Sequence, residues 1–419
     1  MRRRDFLRAV TVAGVAGIAQ VTGMVQASGG VPAVGPARRL GPAGAGFLIP
    51  MDAGQPQPLR AYGIVYRTLR AGGSAEWLLN HRGGAFLVHH QSALDEALTR
   101  GVWTETLAES AAALETDLAT GAARAMRLEV APTIAVYAPP YAAPWDDAVR
   151  LALEYAEIPY TTVWDRDLLG PALTEVDWLH LHHEDFTGQY GKYGRSVQET
   201  DWYRAALALD AATAADLGFA DAPALKAAVA AAIRGYVRQG GFVFAMCAAT
   251  ETLDVALAGA ALDYDATFAF TGFIRETGSV GPFSTIDGHR VNTPDRLPLD
   301  TVAVESFAPL IDPVAAMLTQ THRTGFPDWY GLTTSFRADR LKPGVTVLAT
   351  CGAGRLAKYL HGDLGEGTFT FLGGHDPEDF QHAIGDPPTA LADHPQSPGY
   401  RLILNNVLFP AAEDERRRT

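Results

Sequence analysis

Apolar residues in the first part of the chain alternate between short continuous runs and stretches with helical spacing. The continuous runs, which are typical of buried strands, are Phe47–Met51, Ala75–Leu79 and Ala85–His89. Leu59–Arg70 carries apolar residues near helical spacing, and residues 91–130 are rich in Ala, Leu and Glu, which favour helices. This strand–helix–strand order predicts a small α/β domain over residues 46–130.

From Pro132 onward, strand-like and helix-like segments alternate more regularly. The strand-like runs are Thr133–Tyr137, Tyr160–Trp164, Val176–His182, Val345–Thr350, Leu356–His361 and Thr368–Leu372. The helix-like segments are Trp145–Glu157, Ala224–Arg238, with Asp221 as its candidate N-cap, and Tyr400–Leu408. This alternation predicts a mainly parallel, doubly wound sheet over residues 131–411, with functional groups at the carboxyl ends of its strands. Residues 263–340 break the alternation with Gly, Pro and Asp turns, and we expect them to form an insertion.

The first 27 residues have the pattern of an export signal. Arg3 and Arg4 precede Asp-Phe-Leu, and Ala9–Val25 is a mildly apolar core that is too short for a membrane span. This pattern predicts passage through the twin-arginine translocase, cleavage after Ala27 and a periplasmic or otherwise exported chain with no stable membrane span. The composition of residues 28–45 predicts a linker, and residues 412–419 are expected to form a charged tail.

Charge and cysteine content narrow the classes of partner. The formal net charge is -13 and becomes -16 without residues 1–27, which carry four arginines and one aspartate. Such an acidic chain is a poor partner for nucleic acid or anionic lipid, which leaves a small-molecule substrate. Only Cys247 and Cys351 are present, so no disulfide framework is expected, although the two could form one bridge.

Cys247 lies at the junction of a predicted strand and a predicted helix. Phe242–Ala245 is an apolar run, and Ala248–Leu257 has helical character. A sharp strand–nucleophile–helix turn, or nucleophile elbow, lowers the pKa of a thiol and places backbone N–H groups where an oxyanion forms. Cys247 is therefore a candidate nucleophile and the N–H of Ala248 a candidate oxyanion donor. The alternative is that Cys247 is a small buried apolar residue.

A histidine with nearby carboxylates follows the last predicted strand of the sheet. His375 is succeeded by Asp376 and Glu378. A thiol nucleophile needs a base and a group that orients the base, so we expect His375 to serve as the base, with Glu378 or Asp376 orienting its ring.

Several longer motifs resemble a known family. They are Trp77–Gly84 (WLLNHRGG), Trp178–Lys192 (WLHLHHEDFTGQYGK), Gly373–Gln381 (GGHDPEDFQ) and Ser397–Ala411 (SPGYRLILNNVLFPA). With the strand–Cys–helix turn, they resemble exported bacterial proteins often labelled asparagine synthetase B, within the class I glutamine amidotransferase-like superfamily. The resemblance implies that fold and a triad of Cys247, His375 and Glu378 or Asp376.

This chain departs from the superfamily pattern in two places. Ala245 and Ala249 replace the glycines of Gly-x-Cys-x-Gly, and Glu378 stands three residues after His375 instead of two. The chain also has no glycine-rich phosphate loop in a strand–helix context, so ATP-dependent asparagine synthesis is not expected.

The motif around residue 180 suggests a metal site. In a strand, His180 and His182 share one face, and Glu184 follows at the strand end. These three residues are candidate ligands for a divalent metal such as zinc. The alternative is a polar strand end whose histidines bond to backbone carbonyls.

Four further residues are candidate substrate contacts. They are Arg82, a potential carboxylate or phosphate clamp, and His183, Gln189 and Lys192 beside the same strand end.

Together these features favour an exported hydrolase that acts on an amide-type C–N bond through a cysteine nucleophile. Two alternatives stay open: a non-catalytic small-molecule-binding protein on the same fold, and a metal-dependent enzyme that uses His180 and His182.

Overall fold

The computed structural model describes part of the chain. Its described residues are 46–140, 147–188, 199–258, 290–291, 301–304, 317–322, 325–327, 334–338, 341, 344–351, 356–379 and 387–412. The predicted signal peptide, linker, most of the predicted insertion and nearly all of the charged tail lie outside them, as do the candidate contacts Gln189 and Lys192.

A five-stranded sheet opens the described chain. Its strands are β1 (Phe47–Ile49), β2 (Ala75–Leu79), β3 (Ala85–Val88), β4 (Glu105–Thr106) and β5 (Arg124–Leu128), in the order β4-β1-β3-β2-β5. The helices α1 (Pro58–Arg70), α2 (Gln91–Thr99) and α3 (Leu107–Thr120) connect them.

Strand pairing in this sheet differs from the simple strand–helix–strand expectation. β1 and β2 run in the same direction, but β3 lies between them, so every neighbouring pair is antiparallel. The five residues between β2 and β3 are too few for a parallel crossover, and they make a tight turn instead. Residues 91–130 are also not wholly helical, because they contain β4 and β5.

Five parallel strands form one half of the second sheet. They are β6 (Ile134–Tyr137), β7 (Thr161–Val163), β8 (Trp178–Leu181), β9 (Phe242–Met246) and β16 (Gly367–Leu372), in the order β7-β6-β8-β9-β16. Counted along the chain this is the order 2-1-3-4-5 of doubly wound folds, which bind ligands where the order reverses, between the first and third strands.

Helices accompany these parallel strands. They are α4 (Ala148–Tyr155), α5 (Asp165–Leu169), α6 (Asp201–Asp216), α7 (Ala222–Arg238), α8 (Cys247–Ala258) and α9 (Pro398–Leu408). Asp221 caps α7 as predicted, since its side chain accepts the Ala224 N–H at 2.8 Å. No helix within the described residues has the length and apolar character needed to cross a membrane.

The other half of the large sheet is antiparallel. Its strands are β10 (Arg290–Val291), β11 (Thr301–Val304), β12 (Gly325–Pro327), β13 (Thr334–Arg337), β14 (Thr346–Cys351) and β15 (Leu356–Leu364). The protein is therefore mixed α/β, and the expected mainly parallel sheet is parallel only from β7 to β16. Short links such as residues 365–366 force antiparallel pairing. The described strands of the predicted insertion extend this same sheet.

Helix α9 joins the two sheets. All of its residues are buried, and the Arg401 guanidinium donates to the carbonyls of Met51 at 2.7 Å and Gly83 at 2.6 Å. The Asn405 amide donates to the Gln320 carbonyl at 2.8 Å. The largest apolar cluster contains side chains from both sheets, so they pack as one core. The predicted boundary at residue 131 falls between β5 and β6, and separate folding of the two parts stays a prediction.

Candidate active site

Cys247 occupies a sharp turn between β9 and α8. Its backbone φ is +48°, a left-handed conformation that costs a non-glycine residue roughly 1–2 kcal/mol. The Cys247 N–H donates to the Gly374 carbonyl at 2.9 Å, and the Thr250 hydroxyl donates to the Cys247 carbonyl at 2.8 Å. These bonds hold the turn in place, and the backbone makes the sharp strand–helix turn that a nucleophile elbow requires.

Ala245 and Ala249, which stand where the class I glutamine amidotransferase-like pattern has glycines, fit this turn. Among the described non-glycine residues, positive φ values occur at Cys247 and three other positions, none of them Ala245 or Ala249. The Ala249 N–H donates to the carbonyl of His182 at 2.8 Å, which links α8 to the end of β8. A methyl group at either position therefore meets no backbone strain.

The Cys247 sulfur is a buried thiol rather than half of a disulfide with Cys351. The three apolar clusters of the described residues do not include it. Ala248, the candidate oxyanion donor, lies in the first turn of α8 and is also buried.

His375 lies at the same sheet edge as Cys247. β16 pairs in parallel with β9, with Leu372 opposite Met246, and His375 follows three residues later. The bond from Cys247 to Gly374 fixes the two segments side by side. The structure thus brings together the candidate nucleophile and the candidate base, which are 128 residues apart in the sequence.

The two carboxylates expected to orient His375 have other partners. Asp376 accepts the N–H groups of Glu378 and Asp379 through Oδ1, and the hydroxyl of Tyr400 through Oδ2 at 2.7 Å. Glu378 lies 3.3 Å from the His394 Nδ1. These contacts anchor the loop after β16 to α9, which differs from the predicted orienting role.

Histidine rings surround His375 instead. His182 and His183 stack with their centroids 3.9 Å apart, and the His375 ring lies 4.7 Å from His183 and 5.3 Å from His182. One ring nitrogen from each of the three lies within 4.8 Å of the others. His183, predicted as a substrate contact, is therefore a neighbour of the candidate base.

A second cluster shares His182. The Oδ1 atom of Asp147 lies 3.3 Å from the His180 Nε2 and 3.0 Å from the His182 Nδ1. Burial raises the pKa of Asp147, but His180 and His182, when protonated, outweigh that effect and hold the pKa well below its usual value. The sequence pattern missed Asp147, whose only local signal is its place as the N-cap of α4.

Glu184, the predicted third ligand, is turned back toward its own backbone. Its Oε2 accepts the His182 N–H at 2.8 Å. Burial raises its pKa to about 7, and bonds from the backbone N–H groups of His182 and Glu184 limit the rise. Asp147 stands where Glu184 was expected, because β8 ends at Leu181 and strand alternation no longer holds beyond it.

Arg82 is occupied by protein carboxylates. Its guanidinium contacts Asp52 and lies 3.1 Å from both oxygens of Glu105. Both partners belong to the five-stranded sheet and its loops, and their two negative charges already match the guanidinium. This arrangement differs from the expected clamp for a substrate anion.

A cavity of about 450 Å³ among the described residues is not at this edge. It borders Asp177, Gly240 and Gly241, which precede β8 and β9, so it lies at the amino ends of strands whose carboxyl ends carry His182 and Cys247.

Comparison with known proteins adds little to this geometry. No protein-family model matches the sequence, and no curated protein matches it. Among solved structures, the cytoplasmic protein STM3548 from Salmonella typhimurium is 11% identical, over 67% of this chain and 99% of its own, with a TM-score of 0.34. The cytoplasmic protein STM1381 from Salmonella typhimurium LT2 is 13% identical over 64% of this chain and 89% of its own, with a TM-score of 0.31.

An exo-β-1,4-mannosidase, Op5Man5, from Opitutaceae bacterium strain TAV5 is similar over part of its length. It is 14% identical over 65% of this chain and 35% of its own, with a TM-score of 0.26. Similarities at this level identify no family and carry no functional argument.

Proposed function

We propose that this protein is an exported hydrolase that cleaves an amide-type C–N bond through Cys247. The observation that carries the proposal is the left-handed backbone of Cys247 at a strand–helix junction. A strained non-glycine turn persists only where its surroundings hold it, and such turns cluster at functional sites. A buried structural cysteine needs no such strain.

The proposed first step is attack of the Cys247 sulfur on the substrate carbonyl carbon. His375 takes the thiol proton, and the C–N bond breaks as His375 returns that proton to the leaving nitrogen. The N–H of Ala248, in the first turn of α8, stabilises the oxyanion. Water then hydrolyses the thioester, which releases a carboxylic acid and restores the thiol.

We also propose the finer fold assignment, a class I glutamine amidotransferase-like domain. The 2-1-3-4-5 order of the parallel strands supports it, as does the elbow at the end of the fourth strand of that series. The export pattern at Arg3 and Arg4 favours a periplasmic small-molecule substrate over a cytoplasmic synthetase partner.

Amine release tests this function. The wild type is incubated with a panel of primary and secondary amides, glutamine included, and the released ammonia or amine is quantified. We expect release by the wild type and a loss of roughly a thousandfold or more in Cys247→Ser. Equal release by the variant excludes Cys247 as the nucleophile, and no release from any amide excludes this substrate class.

A further inference from the structure

The cluster of Asp147, His180 and His182 contains buried ring nitrogens that have no role in the proposed hydrolysis. His180 and His182 are fully buried, and three of their ring nitrogens have no hydrogen-bond partner among the described residues. These nitrogens are the His180 Nε2 and both nitrogens of His182. Buried polar atoms are nearly always satisfied, so such a concentration at one point needs an explanation.

The tautomer of His180 follows from its other contact. Its Nδ1 lies 3.0 Å from the backbone carbonyl of Phe244, which can only accept a hydrogen bond. Nδ1 therefore carries the proton, and in the neutral ring Nε2 presents a lone pair toward Asp147. A backbone carbonyl on the remote nitrogen is the usual support for a metal-binding histidine.

The two distances are compatible with ligands around a metal, and the orientation of the groups does not fit a direct hydrogen bond. The Asp147 Oδ1 is close to both imidazoles, at 3.3 and 3.0 Å, yet neither nitrogen directs an N–H at it with hydrogen-bond geometry. Ligands of a tetrahedral zinc lie about 2.0–2.1 Å from the ion, which places them roughly 3.3–3.4 Å from one another. Their lone pairs then meet at the ion and not at each other.

The position in the fold is that of a ligand site. Asp147 follows β6, His180 lies near the end of β8 and His182 directly follows that strand, so the cluster lies where the strand order reverses. The N–H groups of Val149 and Arg150 donate to the same Asp147 oxygen and hold the carboxylate in place.

We propose that Asp147 Oδ1, His180 Nε2 and His182 Nδ1 bind one zinc ion. Two imidazoles and a carboxylate are a typical zinc set, and three protein ligands leave a fourth position for water or substrate. Because His182 also packs against His375, the ion fixes a ring beside the proposed base. The inference does not depend on Cys247 being a nucleophile.

Zinc content tests the site directly. The full-length chain is loaded with zinc, dialysed against metal-free buffer and measured by inductively coupled plasma mass spectrometry. We expect one zinc per chain in the wild type. Removal of a residue that only supports a metal ligand weakens metal affinity by about 10–100-fold. Asp147→Asn and His180→Ala remove ligands themselves, so they should weaken zinc binding by about 100-fold or more.

His81→Gln is the matched control. It alters a buried histidine between β2 and β3 that lies 2.7 Å from a carboxylate, Asp117, and that belongs to neither histidine cluster, and it should keep its zinc. Cys247→Ser should also keep zinc, which separates this test from that of the proposed hydrolysis.

Two results overturn the proposal. One is a well-folded wild type, by circular dichroism, that retains less than about 0.1 zinc per chain, which is too little for a site with this ligand set. In that case the cluster is a protonated imidazole paired with Asp147. The other is loss of zinc in His183→Ala but not in His180→Ala, which places the ion among His182, His183 and His375 instead.

Discussion

Lys226 offers a sharp test of how the helices are fixed beside the parallel strands. Its ammonium lies 2.9 Å from Asp165 and 3.2 Å from Asp210, with all three side chains at most 2% exposed. It also lies 4.3 Å from the ring centre of Trp164. One buried cation on α7 thus pairs with two carboxylates, one on α5 and one on α6.

Replacing Lys226 with methionine keeps the volume and removes the charge. It leaves two buried carboxylates without their cation, for which a loss of about 3–5 kcal/mol is typical. At roughly 2.1 cal/mol/K of unfolding entropy per residue over the 276 described residues, this loss lowers Tm by roughly 5–9 °C. Urea denaturation at pH 7.5 measures the free energy of unfolding, and calorimetry measures Tm.

The effect of Lys226 on stability depends on pH, and the direction of this dependence follows from the pKa of Lys226. Burial lowers the pKa of Lys226, but Asp165 and Asp210 raise it more, so the pKa lies above its usual value. The contribution of Lys226 is therefore complete below the unfolded pKa of about 10.4 and is lost only as the pH rises through the folded pKa. In Lys226→Met, protonation of the buried carboxylates removes their unpaired charge and stabilises the folded state. The loss of stability relative to the wild type should therefore shrink as the pH falls from 8 to 5.

Arg166→Met is the control for Lys226→Met. It breaks an exposed pair with Asp216 that also joins α5 to α6, and we expect a loss below about 1 kcal/mol. Equal stability of the two variants would refute the reasoning, as would a Lys226→Met deficit that grows as the pH falls.

Three further predictions follow from other parts of the molecule. In urea denaturation, the free energy of unfolding of Cys247→Gly should exceed that of Cys247→Ala by up to about 1 kcal/mol, because glycine relieves the left-handed strain but costs some entropy. A less stable glycine variant contradicts a strained turn at this position. Arg401→Met should lose about 2–4 kcal/mol, because one buried and one half-buried carbonyl lose their donor, and a loss under 1 kcal/mol argues against α9 as the joint between the sheets. Lysine at both Arg3 and Arg4 should leave uncleaved precursor in the cytoplasm on immunoblots, and an unchanged periplasmic yield rules out the twin-arginine route.

The sequence predicted elements better than it predicted their pairing. Ala75–Leu79 and Phe242–Met246 are strands close to where the apolar runs place them, because buried strands leave a strong local pattern. No local sequence pattern shows that β3 inserts between β1 and β2, or that the strands beyond β16 in the large sheet are antiparallel. Strand order depends on contacts between distant segments.

The candidate site shows the same division. Cys247, His375 and the histidines of β8 stand in distinctive motifs, and the fold brings them to one edge. The local sequence does not predict a role for Asp147, because an aspartate before a helix is an ordinary N-cap. Asp376 and Tyr400, both within motifs that resemble the family, bond to each other, so part of the resemblance reflects buried packing.

The pH profile of Cys247 alkylation tests the proposed nucleophile most directly. The folded protein is treated with limiting iodoacetamide between pH 5 and 9, and peptide mass spectrometry follows Cys247 and Cys351 in the same sample. A thiol activated by a helix N-terminus and a histidine reacts well below the ordinary thiol pKa of about 8.5. We predict that Cys247 reacts at least about tenfold faster than Cys351 at pH 6, and that His375→Ala removes most of this advantage. A Cys247 that is alkylated only after unfolding, or whose profile is unchanged in His375→Ala, would contradict the account.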